Sequence, residues 1–130
     1  MPTQNILATT MNTIKLCEER GRSYCIVDGA SKFVGYVLNV IQKAGYIGEF
    51  EYIDDGRIGK FRIQLLGRIN DCGVIVPRLN VSKERIDQLA TKYLPSKEVG
   101  VLVISTSSGV MSHVEARSKG IGGIAVAYVY

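Results

Sequence analysis

The sequence predicts an α+β protein of two small subdomains, an N-terminal α-β-α-β-β unit and a β-rich C-terminal unit with short helices. Apolar residues recur at helical spacing in the first 45 positions, and they alternate with charged residues between positions 47 and 66. The second half contains short apolar runs separated by turn residues. A chain of 130 residues, 46% hydrophobic and 22% charged, suffices for one domain or for two subdomains that share an interface.

Two amphipathic helices joined by a strand begin the first unit. The first helix is expected over residues 5–20, with Gly21 as its left-handed cap, and a strand over 24–27. Ser31 is expected to be the N-cap of a second helix that ends at Gly45. The residues expected to face the core are Ile6, Leu7, Met11, Ile14, Phe33, Val34, Val37, Leu38 and Ile41.

A β-hairpin completes the first unit. Residues 47–53 and 60–66 alternate apolar with charged side chains, as strands with one solvated face do. Residues 54–57, Asp-Asp-Gly-Arg, have the composition of a hairpin turn. The region after this hairpin is the best place to divide the chain, so we predict units 1–67 and 68–130.

The second unit is expected to be richer in strand. Residues 68–76 predict a broken strand that Pro77 stops, and residues 82–93 predict a short amphipathic helix. Residues 99–104 are almost wholly apolar, which is typical of a strand covered on both faces.

The C-terminal end of the second unit shows helix and turn signals. Ser112 and Glu115 have the spacing of a capping box, which predicts a short helix. Glycines at 120–123 are expected to end that helix, and residues 124–130 to form the closing strand.

Charge and cysteine content limit the classes of function. The formal net charge is +4, spread along the chain, which permits a polyanionic partner without requiring one. Cys17, Cys25 and Cys72 have no C-x-x-C spacing, and the single His113 is distant, so buried thiols in a reducing compartment are favoured over zinc. No secretory signal or membrane-spanning run is recognisable. We therefore expect a cytoplasmic protein without metal, cofactor, membrane partner or small-molecule substrate.

Catalytic and phosphate-binding arrangements receive little support. Ser105 or Ser107 with His113 could form a nucleophile and base, but G-x-S-x-G is absent, no acid is placed behind the imidazole, and His113 is expected on a helix surface. Residues 120–123 could cradle a phosphate, yet they follow a helix and precede a strand, which favours a tight turn. The sequence does not favour an enzyme.

Residues 104–111, Ile-Ser-Thr-Ser-Ser-Gly-Val-Met, contain four adjacent hydroxyl residues and no charge. One interpretation is an ordinary loop before a helix N-cap. The other is an RNA-binding loop, because short hydroxyl side chains both donate and accept hydrogen bonds and glycine permits close approach. RNA offers 2′-hydroxyls and base edges in a wide, shallow minor groove.

Several motifs in the same order resemble the small-subunit ribosomal protein S8 family. Residues 100–123 match its C-terminal pattern of an apolar strand, S-T-S-x-G, E-A and a G-x-G-G turn. Residues 45–51, Gly-Tyr-Ile-Gly-Glu-Phe-Glu, and 70–78, Asn-Asp-Cys-Gly-Val-Ile-Val-Pro-Arg, resemble its archaeal and eukaryotic branch. The N-terminal Ile-Leu-Ala-x-x-Met-Asn segment and residues 30–32 also fit, so the resemblance covers essentially the whole chain.

The resemblance implies a structural protein of the small ribosomal subunit that binds a central-domain helix of the ribosomal RNA, supports assembly and translation, and has neighbouring ribosomal proteins as partners in the cytosolic ribosome. In the family the S-T-S-x-G loop enters the RNA minor groove, and the N-terminal unit makes secondary contacts. The RNA-binding residues implied for this chain are Ser105, Thr106, Ser107, Ser108, Gly109, Asn5, Asn12, Ser31, Lys32, Arg78 and Lys97.

Two positions depart from the family pattern. Ile124 stands where relatives carry an acidic or a basic residue, so a polar contact made there by relatives is not expected here. Thr13 replaces a basic or imidazole side chain that is frequent in the first helix. The alternatives to RNA binding are the serine enzyme described above and a protein adaptor that uses residues 124–130 as an exposed sheet edge.

Overall fold

The computed structural model describes residues 3–29, 31–54, 56, 59–96 and 99–130, with backbone alone at 3–5 and 76–79. The elements are α1 Thr3–Glu19, β1 Tyr24–Asp28, α2 Lys32–Lys43, β2 Ile47–Ile53, β3 Lys60–Leu65, β4 Cys72–Val81, α3 Ile86–Tyr93, β5 Val101–Thr106, β6 Gly109–Ser112, α4 His113–Lys119 and β7 Gly123–Val129. The predicted α+β class is confirmed.

The N-terminal elements follow the predicted α-β-α-β-β order. Ser31 caps α2, and its Oγ accepts a hydrogen bond from the Val34 amide at 3.2 Å. β1, β3 and β2 form an antiparallel sheet in that order, in which Ile53 pairs with Lys60. Two residues of the predicted hairpin turn, Asp55 and Arg57, lie outside the described residues.

The C-terminal strands form a second antiparallel sheet in the order β4-β7-β5-β6. Because β7 lies between β4 and β5, the prediction that residues 124–130 could serve as an exposed edge is wrong. The aromatic side chains of Tyr128 and Tyr130 pack against the core between this sheet and its helices.

Helices α1 and α2 lie between the two sheets, since α1 contacts both β1 and β4 and α2 contacts both β2 and β6. The expected α1 side chains Leu7, Met11 and Ile14 are buried there, beside Val103 and Val129 of the C-terminal sheet. Helices α3 and α4 cover the other face, where Leu102 and Ile104 are buried. One hydrophobic cluster thus draws on both sheets, and the division into units 1–67 and 68–130 stays a prediction.

Several element boundaries in the second half differ from prediction: β4 begins at Cys72 rather than residue 68, and β5 spans 101–106 rather than 99–104. β4 continues through Pro77 to Val81, because the pairing with β7 shifts between Val74 and Leu79 and β4 is an edge strand. Edge strands and bulges are where a sheet tolerates a residue without an amide hydrogen. Helix α3 begins at Ile86 rather than residue 82.

Candidate nucleic-acid interface

The hydroxyl loop (residues 105–109) is the tip of a β-hairpin. Ser105 pairs with Val110 and Thr106 with Gly109, so Ser107 and Ser108 form the connection between β5 and β6. Gly109 has a φ of +121°, a conformation that strongly favours glycine. The sequence predicted a strand that ends at Ile104 and did not predict the return strand β6; the observed β5 continues to Thr106 and pairs with β6, so the loop is the closed end of a hairpin.

The hydroxyls of the loop have different roles. Thr106 Oγ1 donates to the Gly109 carbonyl at 2.7 Å and accepts from the Ser108 amide at 3.1 Å. These two bonds use its only donor and one acceptor position within the turn. Among the described residues, the hydroxyls of Ser105, Ser107 and Ser108 have no protein partner. Three hydroxyls are therefore available to a ligand, while that of Thr106 stabilises the loop.

A row of side chains crosses the sheet beside this loop. The row contains one residue from each strand. Ile124 of β7 pairs with Asn80 of β4 on one side and with Ser105 of β5 on the other, and Ser105 also pairs with Val110 of β6. Paired residues on antiparallel strands project on the same face. Ile124 is 39% exposed, so the departure from the family pattern lies beside Ser105 and is open to solvent.

The glycine turn between α4 and β7 brings backbone segments close together. Gly120 ends α4 in the left-handed conformation, with a φ of +68°. A Cβ on Gly122 would overlap the Val81 carbonyl oxygen, and one on Gly123 would overlap the Ser105 carbonyl oxygen. The preference for a turn over a phosphate cradle fits this geometry, since Gly122 allows close packing against the end of β4 and Gly123 against Ser105 of the hydroxyl loop.

His113 is buried, so the expectation that it lies on the helix surface is wrong. Ser112 does cap α4 as predicted, accepting a hydrogen bond from the Glu115 amide at 3.2 Å. However, the imidazole points inward, and its Nδ1 accepts a hydrogen bond from the Leu102 amide at 3.1 Å. Because β6 ends at Ser112, Nδ1 supplies the acceptor that a longer strand would have provided. This role is structural.

The N-terminal residues predicted to bind RNA lie on α1 and at the start of α2. Asn12 is exposed on α1, and Lys32 is exposed as the first residue of α2. The Ser31 hydroxyl is engaged as the N-cap. The side chains of Asn5 and Arg78 lie outside the described residues, as does all of Lys97, for which the contacts stay predictions.

Two of the cysteines are inert core residues, as expected. Cys25 and Cys72 are buried, Cys17 is half-buried, and all three are free thiols. Burial raises the pKa of Cys25 to about 12, with the neighbouring Cys17 as a further cause, and burial likewise raises the pKa of Cys72 to about 12. The Cys72 thiol donates to the Met11 carbonyl at 3.5 Å. Within the described ranges, no three His, Cys, Asp or Glu side chains form a metal-binding group.

No helix in the described part of the chain combines the length and the apolar character needed to cross a membrane.

Comparison with known proteins gives matches over the whole chain. The family model described as ribosomal protein S8 matches residues 5–130. The chain is 49% identical over 126 residues to the small ribosomal subunit protein uS8 of Caldivirga maquilingensis, covering 97% of each chain. It is 46% identical over 130 residues to the protein of the same name from Methanosphaerula palustris, covering 100% of each. Both relatives are archaeal.

Proposed function

The chain belongs to the ribosomal protein S8 family, and we propose that it binds a helix in the central domain of the small-subunit ribosomal RNA and supports assembly of the subunit. Membership makes it a structural constituent of the small ribosomal subunit, and the family is not enzymatic. The alternative of a loop serine acting with His113 is therefore wrong. We also propose the cytosolic ribosome as its location, with neighbouring subunit proteins as partners.

One observation carries the proposal for RNA recognition: an uncharged hairpin tip presents three hydroxyls that have no partner among the described residues. Each of these hydroxyls can donate to a phosphate or base acceptor and accept from a 2′-hydroxyl. RNA duplexes display both groups in their shallow minor groove, where a narrow projection can reach them. An uncharged contact adds discrimination between sites, whereas a lysine there would bind any phosphate.

Secondary contacts are proposed for the N-terminal residues. Asn12 and Lys32 are exposed and available for RNA, and Asn5 and the segment around Ser31 belong to the same set by family resemblance. Since the Ser31 hydroxyl already accepts a hydrogen bond from Val34, its RNA contact would use the donor that remains.

Filter binding to a central-domain RNA stem and to a scrambled stem tests the proposal. We expect the wild-type protein to prefer the first RNA across a salt series. Ser107→Ala should lower affinity for that RNA by about 2- to 12-fold, the equivalent of one neutral hydrogen bond worth roughly 0.5–1.5 kcal/mol. Binding to the scrambled stem should change little.

Ser23→Ala is the matched control, because Ser23 is an exposed serine that precedes β1 in the other sheet. Equal affinity of the wild type for both RNAs would refute sequence- or shape-specific binding. If Ser107→Ala and Ser23→Ala lower affinity equally, the hydroxyl loop is not the RNA-contacting element.

A further inference from the structure

A groove lies between helix α3 and the edge strand β4, with a volume of about 300 Å³. Its floor is apolar, formed by the buried Val81 and the half-buried Leu89. Its rim consists of exposed polar side chains, namely Asn80, Arg85, Gln88 and Lys92.

Among the described residues, the rim carries two cations, two amide side chains and no carboxylate. Arg85, the N-cap of α3, and Lys92, within α3, are seven positions apart and line the same groove. No carboxylate of the described residues lies within ion-pair distance of either cation. The acid of α3, Asp87, is instead paired with Arg117 of α4. Both cations of the groove are therefore without an ion-pair partner in the part of the chain that the structure describes.

The groove lies close to the hydroxyl loop. Asn80, on its rim, pairs with Ile124, and Ile124 pairs with Ser105. Neighbouring strands are about 4.8 Å apart, so the backbones of Asn80 and Ser105 are separated by roughly 10 Å. A single RNA stem is wide enough to contact both places.

We propose that this groove binds the sugar–phosphate backbone of the RNA stem that the hydroxyl loop contacts, with Arg85 and Lys92 neutralising phosphates. The inference rests on the proposed function and deepens it. The hydroxyl loop has no charge, yet phosphate neutralisation supplies much of the affinity of proteins for nucleic acids. Arg85 and Lys92, beside the edge strand β4, provide that affinity, and the amides of Asn80 and Gln88 can donate to phosphate or sugar oxygens.

The double variant Arg85→Gln, Lys92→Gln tests the inference in the full-length protein, by filter binding over a salt series to the central-domain stem and the scrambled stem. Each phosphate contact contributes about 0.7–0.9 to the slope of log affinity against log salt. At 0.1 M salt, a slope of this size corresponds to an affinity contribution of about 5- to 8-fold per cation. Removal of both cations should therefore lower the affinity for each of the two RNAs by about 25- to 60-fold. The slope should become shallower by about 1.4–1.8, and the preference for the central-domain stem should persist.

The matched control is Arg22→Gln, Lys43→Gln, which removes one arginine and one lysine that are also exposed and form no ion pair with the described residues, from the N-terminal part of the chain. An equal loss in the control would overturn the inference, because a general effect of net charge would then explain it. Unchanged affinity and slope in the groove variant would overturn the inference as well. So would a loss of preference for the central-domain stem with an unchanged slope.

Failure of the wild type to prefer the central-domain stem would instead refute the proposed function, while the slope would still report on the groove. Far-UV circular dichroism and melting temperature confirm that both variants are folded.

Discussion

Replacement of His113 is expected to destabilise the protein although the residue is not catalytic. The imidazole is fully buried, and its Nδ1 is the acceptor for the Leu102 amide in the central strand β5. In His113→Leu the site stays filled and becomes more apolar, but the amide loses its acceptor. An unsatisfied buried donor costs about 1–3 kcal/mol. His113→Ala adds a cavity, which brings the expected loss to about 3–5 kcal/mol.

Denaturant unfolding of the wild type and both variants measures these differences from the transition midpoints at unchanged m-value. Amide hydrogen exchange gives a local measure, since the Leu102 amide should be protected in the wild type and lose protection in both variants. His113→Asn is the control, because its Oδ1 can replace Nδ1 as the acceptor, and it should restore protection of that amide. A His113→Leu protein as stable as the wild type would refute the reasoning.

Four further predictions concern the loop surroundings and the core. Ile124→Arg should raise RNA affinity about 5- to 8-fold at 0.1 M salt, because the side chain lies exposed beside Ser105. In filter binding, the slope of log affinity against log salt should steepen by about 0.7–0.9. An unchanged slope would show that this row of the sheet does not contact RNA. Gly123→Ala should cost about 1–3 kcal/mol in denaturant unfolding and weaken RNA binding, because the added Cβ forces β7 from β5. Gly120→Ala, in open space, should cost about 1–2 kcal/mol for its positive φ and leave RNA affinity unchanged. Burial raises the pKa of Cys25 and Cys72 from 9.0 to about 12, so the unfolded chain loses these thiol protons at lower pH than the folded protein does. The stability that the neutral thiols contribute is therefore complete below pH 9 and is lost as the pH rises toward 12. Denaturant unfolding between pH 8 and 12 should therefore show a decline that Cys72→Val reduces, and an identical decline in that variant would contradict the assignment.

Local signals in the sequence predicted the elements whose structure is decided locally. The Ser31 cap and the apolar stripe of α2 lie within one segment, and both are found as expected. The strands over 47–53 and 60–65 were also predicted, because their alternation shows which face is buried. These patterns need no knowledge of distant residues.

The features that were missed depend on contacts between distant segments. Pro77 reads as a strand terminator unless β4 is known to be an edge strand with a bulge opposite β7. The capping box at Ser112 predicts where α4 begins, but it does not show that His113 lies under the end of β6. Asn80, on the rim of the groove that contains Arg85 and Lys92, comes close to the hydroxyl loop only through the β4-β7-β5 strand order. No short-range pattern reveals that order.

The run of four hydroxyls shows how a single sequence motif can combine two roles. In sequence, Ser105, Thr106, Ser107 and Ser108 are equivalent small polar residues. In the hairpin, Thr106 bonds within the turn, and the other three hydroxyls have no partner in the described ranges of the chain. A loop of four unbonded hydroxyls would have to be ordered on binding, at the entropic cost of fixing its backbone. With Thr106 and the close packing at Gly123 holding the turn, that cost is met during folding, and the three free hydroxyls are presented in a fixed arrangement.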